Sequence, residues 1–372
     1  ERGKRHREET QMNMDGNTIK LEFTLRSFVT FLLAGFVVLW SSTALSIRIS
    51  REKDDFYSFD ASTILLLSQI LHVILSLISF ILSETAVGPT GKAEGDWMKM
   101  VKGAKVCWKL VLPAFIVSVL NVTMFLNLRY YETAPYFMLS SSRVLLSGAL
   151  HQWFLGRTLG SNKWTALAFL TLSDLFVHVP SLLQLSDLSF HFVLLVLVHS
   201  FASSFSLVFL EFRLKSDPEI SAPIKSTYFS IFSALFSLLW ILLSKPVLLR
   251  NENNFFNGYS TSVYLSAFLL ALTSAHTSFF LKCLNVFWLQ FVQSASFILV
   301  ALASYFLFDD VLSIDFLLSV CSFAVAIYFL RSDVLSSFTS SSSSSASQSF
   351  PHSILSEFSP KSHSDPSSKS VV

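Results

Sequence analysis

Long apolar runs without charged residues are the feature of this chain that most limits its fold. Seven runs contain no Asp, Glu, Lys or Arg: residues 27–47, 61–83, 110–128, 188–210, 226–244, 259–281 and 283–308. Each is close to or above the roughly 18 residues that a helix needs to span a bilayer. Backbone polar groups in lipid must be satisfied within their own segment, so we expect every run to be helical.

Three further stretches are long enough to span but contain charged residues. They are residues 130–156 with Arg143, residues 164–182 with Asp174, and residues 311–330 with Asp315. The sequence therefore predicts an all-α polytopic membrane protein with ten transmembrane helices. With ten spans, both chain ends lie on the same side of the membrane, and most Lys and Arg lie on that side as well. Since Lys and Arg are enriched in cytoplasmic loops, we predict that both termini are cytoplasmic.

We expect three regions: an N-terminal tail (1–25), a ten-helix domain (26–331) and a disordered Ser-rich tail (332–372). The domain divides into halves of about 26–182 and 188–331. Spans four and five share a layout with spans nine and ten, and the hinge is basic in the first copy (Arg157) and acidic in the second (Asp309, Asp310). Opposite hinge charge favours a 5+5 inverted repeat. Chance similarity between apolar segments is the alternative.

Arg143 is the only arginine near the middle of a predicted span. A guanidinium at that depth costs at least about 2.5 kcal/mol and is usually kept where it faces a cavity or a partner. Tyr136 precedes it by about two helical turns and lies on the same face. The pattern predicts a cationic interior site. A structural cation bonded to helix carbonyls is the alternative for Arg143, and an interfacial aromatic is the alternative for Tyr136.

Three blocks resemble the nucleotide-sugar transporter family, in the UDP-sugar branch of the drug/metabolite transporter superfamily. The first block contains, in the family's order and spacing, Pro113, Asn121, Tyr136, Arg143, Arg157 and Trp164. The second, FLEFRLKSD, contains Glu211 and Lys215, and the third runs from NNFFNGYSTS through LKCLNVFWLQF, with Lys282 and Asn285, to the last two spans. Together the blocks cover about residues 26–331.

The resemblance implies an antiporter of the drug/metabolite transporter fold in the Golgi membrane, with the ER membrane as the alternative. It would carry a nucleotide sugar into the lumen and return nucleoside monophosphate. The UDP-sugar branch implies that the nucleotide sugar is a UDP-sugar. The setting of the antiporter is the lipid bilayer. A homo-oligomer or an association with glycosyltransferases is left open, and no nucleic acid is implied.

The resemblance also implies substrate-binding roles for six residues: Asn121, Tyr136, Arg143, Glu211, Lys282 and Asn285. At Arg143 the planar guanidinium suits the oxygens of a phosphate. Tyr136 would stack on a base or donate to phosphate. Asn121 would read a base edge, and an interhelical hydrogen bond is its alternative.

Three positions depart from the family's pattern. Leu289 stands where a second lysine is usual, and Leu207 and Asp174 stand where glycine is usual. Two alternative functions are considered, and Leu207 and Leu289 favour the first of them. One is a transport-inactive protein that organises Golgi glycosylation partners, and the other is a drug/metabolite-type exporter of another solute.

Enzymatic residue patterns are missing from the sequence. It contains no nucleophile–base arrangement, Gly-rich phosphate loop or metal-ligand spacing, so we expect no enzyme, no cofactor and no metal. His191 and His199 are eight residues apart and would share a helix face, which could support a proton relay. Separate, singly hydrogen-bonded histidines are the alternative.

Overall fold

The computed structural model of the protein describes most of the predicted domain. The described residues are 27–50, 59–86, 103–104, 107–130, 136, 139–156, 158–177, 190–216, 220–244, 255–308 and 314–342. The predicted N-terminal tail and residues 343–372 lie outside this set. Within it the regular structure is helical, with no strand, which confirms the all-α prediction.

The described helices follow the predicted runs closely. Their bounds are α1 (Ser27–Ile49), α2 (Ala61–Ala86), α3 (Val111–Tyr130), α4 (Arg143–Leu155), α5 (Ser161–Val177), α6 (Phe190–Ser216), α7 (Ala222–Ser244), α8 (Thr261–Cys283), α9 (Val286–Phe308) and α10 (Ile314–Ser342). A single 3₁₀ turn, Trp108–Leu110, leads into α3. Because α10 continues to Ser342, the region predicted as a disordered tail from residue 332 begins as helix.

Seven of these helices are long and apolar enough to cross a membrane: α1, α2 and α6 to α10. The other three, α3, α4 and α5, do not reach that length and hydropathy within the described residues. The structure thus agrees with a polytopic membrane protein, whereas ten spans and an inverted repeat stay predictions.

The outer surface is apolar and the interior carries many hydroxyl groups. Phe31, Phe190 and Leu243 each expose 76% of their surface, as lipid-facing side chains do. Inside, Ser41 of α1 donates to the carbonyl of Ser296 on α9 at 3.2 Å. Hydroxyls that bond across helices hold spans together where lipid supplies no hydrophobic drive.

Two of the closely packed helix pairs, α2 with α7 and α5 with α10, are five positions apart in the chain. Between α2 and α7, Ser226 Oγ lies 3.2 Å from His72 Nε2 and 3.1 Å from Ser76 Oγ. Between α5 and α10, Ser173 Oγ donates to the Ser319 carbonyl at 3.0 Å and Ser322 Oγ to that of Phe169 at 2.7 Å. A repeat of five helices would give this pairing.

Candidate functional site

Helix α4 begins at Arg143, immediately after a tight turn at Ser141–Ser142. In this turn the Val144 amide donates to the Ser141 carbonyl at 3.0 Å, three residues back instead of four. From α6, the Ser204 hydroxyl donates to the Arg143 carbonyl at 2.9 Å. The predicted span 130–156 is therefore not one regular helix, because a turn immediately precedes Arg143.

The Arg143 side chain has unused hydrogen-bonding capacity. Its Nε is buried, and no described residue accepts a hydrogen bond from it. The guanidinium carbon lies 5.7 Å from the centre of the Phe297 ring on α9, within cation–π range. Since a buried donor without a partner is expensive, this nitrogen is a good position for a ligand acceptor.

Tyr136 is buried and lies within electrostatic range of Arg143, although the turn at Ser141–Ser142 interrupts the helix between them. Its hydroxyl lies 2.9 Å from His199 Nε2 on α6, and Nδ1 of the same imidazole lies 3.2 Å from Thr123 Oγ1 on α3. Arg143 is close enough to interact electrostatically with both the phenol and the imidazole. The chain Thr123–His199–Tyr136 thus links α3 and α6 to the segment that carries the arginine.

Asp174 on α5 faces the same interior. Its side chain is 2% exposed, Oδ1 accepts no hydrogen bond from the described residues, and Arg143 lies within electrostatic range. No direct ion pair joins these two described side chains. The Ser294 hydroxyl of α9 lies beside the carboxyl without a hydrogen bond of ordinary geometry. The polar site, as we use the term, consists of Thr123, Tyr136, Arg143, Asp174, His199 and Ser294.

Helix α9 adds a polar stripe on the side that faces this site. Gln290 and Gln293 precede Ser294 and Phe297 by four residues each, so all four share one helix face. Gln290 is 1% exposed, and neither its Nε2 nor its Oε1 has a hydrogen-bond partner among the described groups. Unfilled amides, a carboxylate and a guanidinium together suit a polar, hydroxyl-bearing anion. No cluster that could hold a metal occurs in the described part of the chain.

Glu211 belongs to a separate network at the other end of α4. Its Oε1 accepts from Lys215 Nζ at 2.8 Å and its Oε2 from the backbone amide of Val286 at 2.8 Å. His151 Nε2 is 3.8 Å from Oε1, beyond hydrogen-bonding distance. His151 lies about 12 Å along α4 from Arg143. The network ties α6 to the start of α9, and both oxygens of Glu211 are already engaged.

The other predicted site residues also lie apart from Arg143. Asn285 caps α9, with its Oδ1 accepting from the Trp288 amide at 3.1 Å, and Lys282 is exposed at the end of α8. Asn121 is half-buried two residues before Thr123, and residues two apart do not face the same way. Of the six predicted residues, the structure brings only Tyr136 and Arg143 together.

The positions that depart from the family's pattern have distinct environments. Leu289 is fully buried in the main apolar cluster, and Leu207 packs against that cluster.

His191 is exposed at the start of α6 whereas His199 is hydrogen-bonded inside the polar site. The two histidines are therefore not brought together as a relay, and their separate roles agree with the alternative reading.

An apolar groove of about 520 Å³ lies between α1, α9 and α10. Val37, Phe291, Ala295 and Phe323 are among its lining residues, and Arg331 is its one ionisable group. A groove of this composition suits hydrocarbon. It is distinct from the polar site.

A helical polytopic membrane protein with a buried cationic site is the class that the fold and the site define. The model of the nucleotide-sugar transporter family matches residues 24–331, and the chain belongs to this family. A solved crystal structure aligns over 82% of this chain and 96% of its own, with a TM-score of 0.59 at 12% identity, which supports the fold alone.

Curated relatives cover most of the domain at low identity. The rat UDP-N-acetylglucosamine transporter is 25% identical over 290 residues, covering 75% of this chain and 88% of its own. The UDP-galactose transporter of Schizosaccharomyces pombe is 28% identical over 323 residues, covering 83% and 88%. The CMP-sialic acid transporter 2 of Oryza sativa subsp. japonica is 24% identical over 310 residues, covering 83% and 84%. The family is one of transporters and not of enzymes.

Proposed function

We propose that this protein is a nucleotide-sugar antiporter of the Golgi membrane that brings a UDP-sugar into the lumen and returns nucleoside monophosphate. The observation that carries the proposal is the half-buried Arg143, whose Nε is buried and has no hydrogen-bond partner among the described residues. Two of the three relatives described above are named for UDP-sugars, which favours uridine over cytidine.

In this proposal the polar site binds the nucleotide part that both substrates share. Arg143 takes the phosphate oxygens, for which its planar donors are suited. Tyr136 lies next to it and offers a hydroxyl to the same phosphate. Gln290 and Gln293, each with an unpartnered amide oxygen, are placed to bond the hydroxyls or the base. Because both substrates need the same cation, only one of them occupies the site at a time.

Exchange follows if the two ends of the protein open alternately around this fixed site. The Glu211 network joins α6 to α9 on the side of the membrane that the distribution of Lys and Arg predicts to be cytoplasmic. Opening on that side would have to separate these helices, so the network is a cytoplasmic closure in the proposed cycle. Both termini are cytoplasmic in this account, and the ER membrane is the alternative location.

The test is uptake by purified protein in liposomes. Radiolabelled UDP-N-acetylglucosamine, UDP-galactose and CMP-sialic acid would be offered to vesicles preloaded with UMP, GMP, CMP or buffer. We expect a UDP-sugar to enter vesicles preloaded with UMP faster than those preloaded with GMP. The matched control is the Arg143→Gln protein in identical vesicles.

Two outcomes would replace the proposal. Nucleotide binding without uptake of any of these sugars would support the transport-inactive protein suggested by Leu207 and Leu289. Failure of all nucleotides to bind a folded protein would support an exporter of another solute.

A further inference from the structure

We infer that Asp174 is an internal counter-charge of Arg143 that competes with the phosphates of the substrate. The inference rests on the proposed function in that it assigns the ligand to the polar site. It adds a selectivity: Asp174 weakens the binding of the more highly charged nucleotides relative to what Arg143 alone would give.

The first step of the argument is that Asp174 and Arg143 both lack ordinary partners. Asp174 is 2% exposed and its Oδ1 accepts no hydrogen bond from the described residues, and Arg143 Nε is likewise buried without an acceptor. Burying a charge is expensive unless an opposite charge compensates for it. Each of these two groups is the opposite charge that the other needs.

The second step is that few described groups lie close enough to Arg143 to act as its counter-charge. Among the described residues, the titratable groups in electrostatic range of Arg143 are Asp174 and Tyr136, with the imidazole of His199 behind the phenol. Asp174 is the acidic side chain among them. In the empty carrier it can neutralise the guanidinium across the interior.

The third step is the space between them. No direct ion pair joins the two side chains, and α4 and α5 carry them into an interior that α9 lines with Ser294 and the unpartnered Gln290. A phosphate bound at Arg143 would therefore lie near the Asp174 carboxylate as well. Like charges in a protein interior repel appreciably, so the carboxylate offsets part of the attraction that Arg143 exerts on each negative charge of the ligand.

The experiment measures binding of uridine, UMP and UDP, whose negative charge increases in that order, to purified wild-type protein and to Asp174→Asn. Dissociation constants come from the thermal stabilisation of each protein by each ligand. We expect the substitution to tighten UDP roughly tenfold and UMP by less, while uridine changes by less than about twofold. Asp315→Asn, the same change at the start of α10, is the control and should alter none of the three.

A second measurement needs no ligand. Melting temperatures of the empty wild type, Asp174→Asn, Arg143→Gln and the double variant form a cycle. If the two charges compensate each other, the double variant melts at a higher temperature than the sum of the two single losses predicts. Should Asp174→Asn fail to fold while the double variant folds, the same compensation is demonstrated.

The outcomes separate the two proposals. A coupled cycle without nucleotide binding would keep the counter-charge and remove the proposed function. Nucleotide binding with an additive cycle, or with equal weakening of all three ligands by Asp174→Asn, would overturn the counter-charge and leave the proposed function standing.

Discussion

Replacing Arg143 tests whether the buried guanidinium binds phosphate. Arg143→Gln keeps an amide donor of shorter reach but removes the charge, whereas Arg143→Lys keeps the charge and loses the planar pair of donors. Loss of phosphate pairing with a desolvated cation is worth about 2 to 5 kcal/mol, or roughly 30-fold to several-thousand-fold in affinity. We therefore expect UMP binding to be abolished in Arg143→Gln and partly kept in Arg143→Lys.

The assay is thermal stabilisation of the purified protein by UMP, combined with exchange in liposomes. A ligand at 100 times its dissociation constant stabilises a protein by about 2.7 kcal/mol, so loss of binding is visible as loss of the melting shift. Arg213→Gln is the matched control, because Arg213 also has a buried Nε without a partner but lies near Phe209 and Phe212 at the far end of α6. This control should keep the full shift.

Two results would refute the reasoning about Arg143. If Arg143→Gln binds UMP within about threefold of wild type, the phosphate does not depend on this charge. If Arg143→Gln and Arg143→Lys both fail to fold, Arg143 is a structural cation bonded within the helices. Folded variants are expected, since Arg143→Lys keeps the counter-charge of Asp174 and the removal of an intramembrane cation in Arg143→Gln relieves a desolvation cost that offsets part of the loss of that counter-charge.

Three further predictions concern the surroundings of the site. Tyr136→Phe removes the hydroxyl that lies 2.9 Å from His199 and should weaken UMP binding about three- to tenfold, measured by the same melting shift. An unchanged affinity would show that the phenol does not contact the phosphate. Gly148→Leu should lower the melting temperature by several degrees, because even a Cβ there would lie 2.5 Å from Leu167 on α5; wild-type melting would contradict the close α4–α5 packing. Glu211→Gln should reduce stability by about 1.5 to 3 kcal/mol in a denaturation assay and leave UMP affinity unchanged; loss of affinity with normal stability would make Glu211 a binding residue.

Helix positions were largely predictable from the sequence because the apolar runs are long. The run 283–308 became α9 at Val286–Phe308, since continuous hydrophobicity over more than 18 residues leaves few alternatives in lipid. The irregular start of α4 was not predictable. Serines at 141 and 142 are tolerated in regular membrane helices, and their tight turn depends on the neighbouring α6.

The candidate site was predictable only where local spacing decides it. Helical spacing predicted Tyr136 and Arg143 in one site, and they interact electrostatically in the structure even though a turn interrupts the helix between them. Asp174, His199 and Ser294 reach the site through packing of distant helices, which no local pattern encodes. Gln290 and Gln293 did carry a signal, because amides inside an apolar span need polar partners. Glu211 and Asn285 were predicted by resemblance, and their contacts in this structure are to backbone amides and Lys215.

The most direct test of the account is an experimental structure of the protein with UMP bound. The account predicts that a phosphate oxygen lies within hydrogen-bonding distance of the Arg143 guanidinium, with Tyr136 beside it and Gln290 or Gln293 bonded to the remainder of the nucleotide. A nucleotide bound elsewhere, with Arg143 hydrogen-bonded only to helix carbonyls, would contradict the central claim.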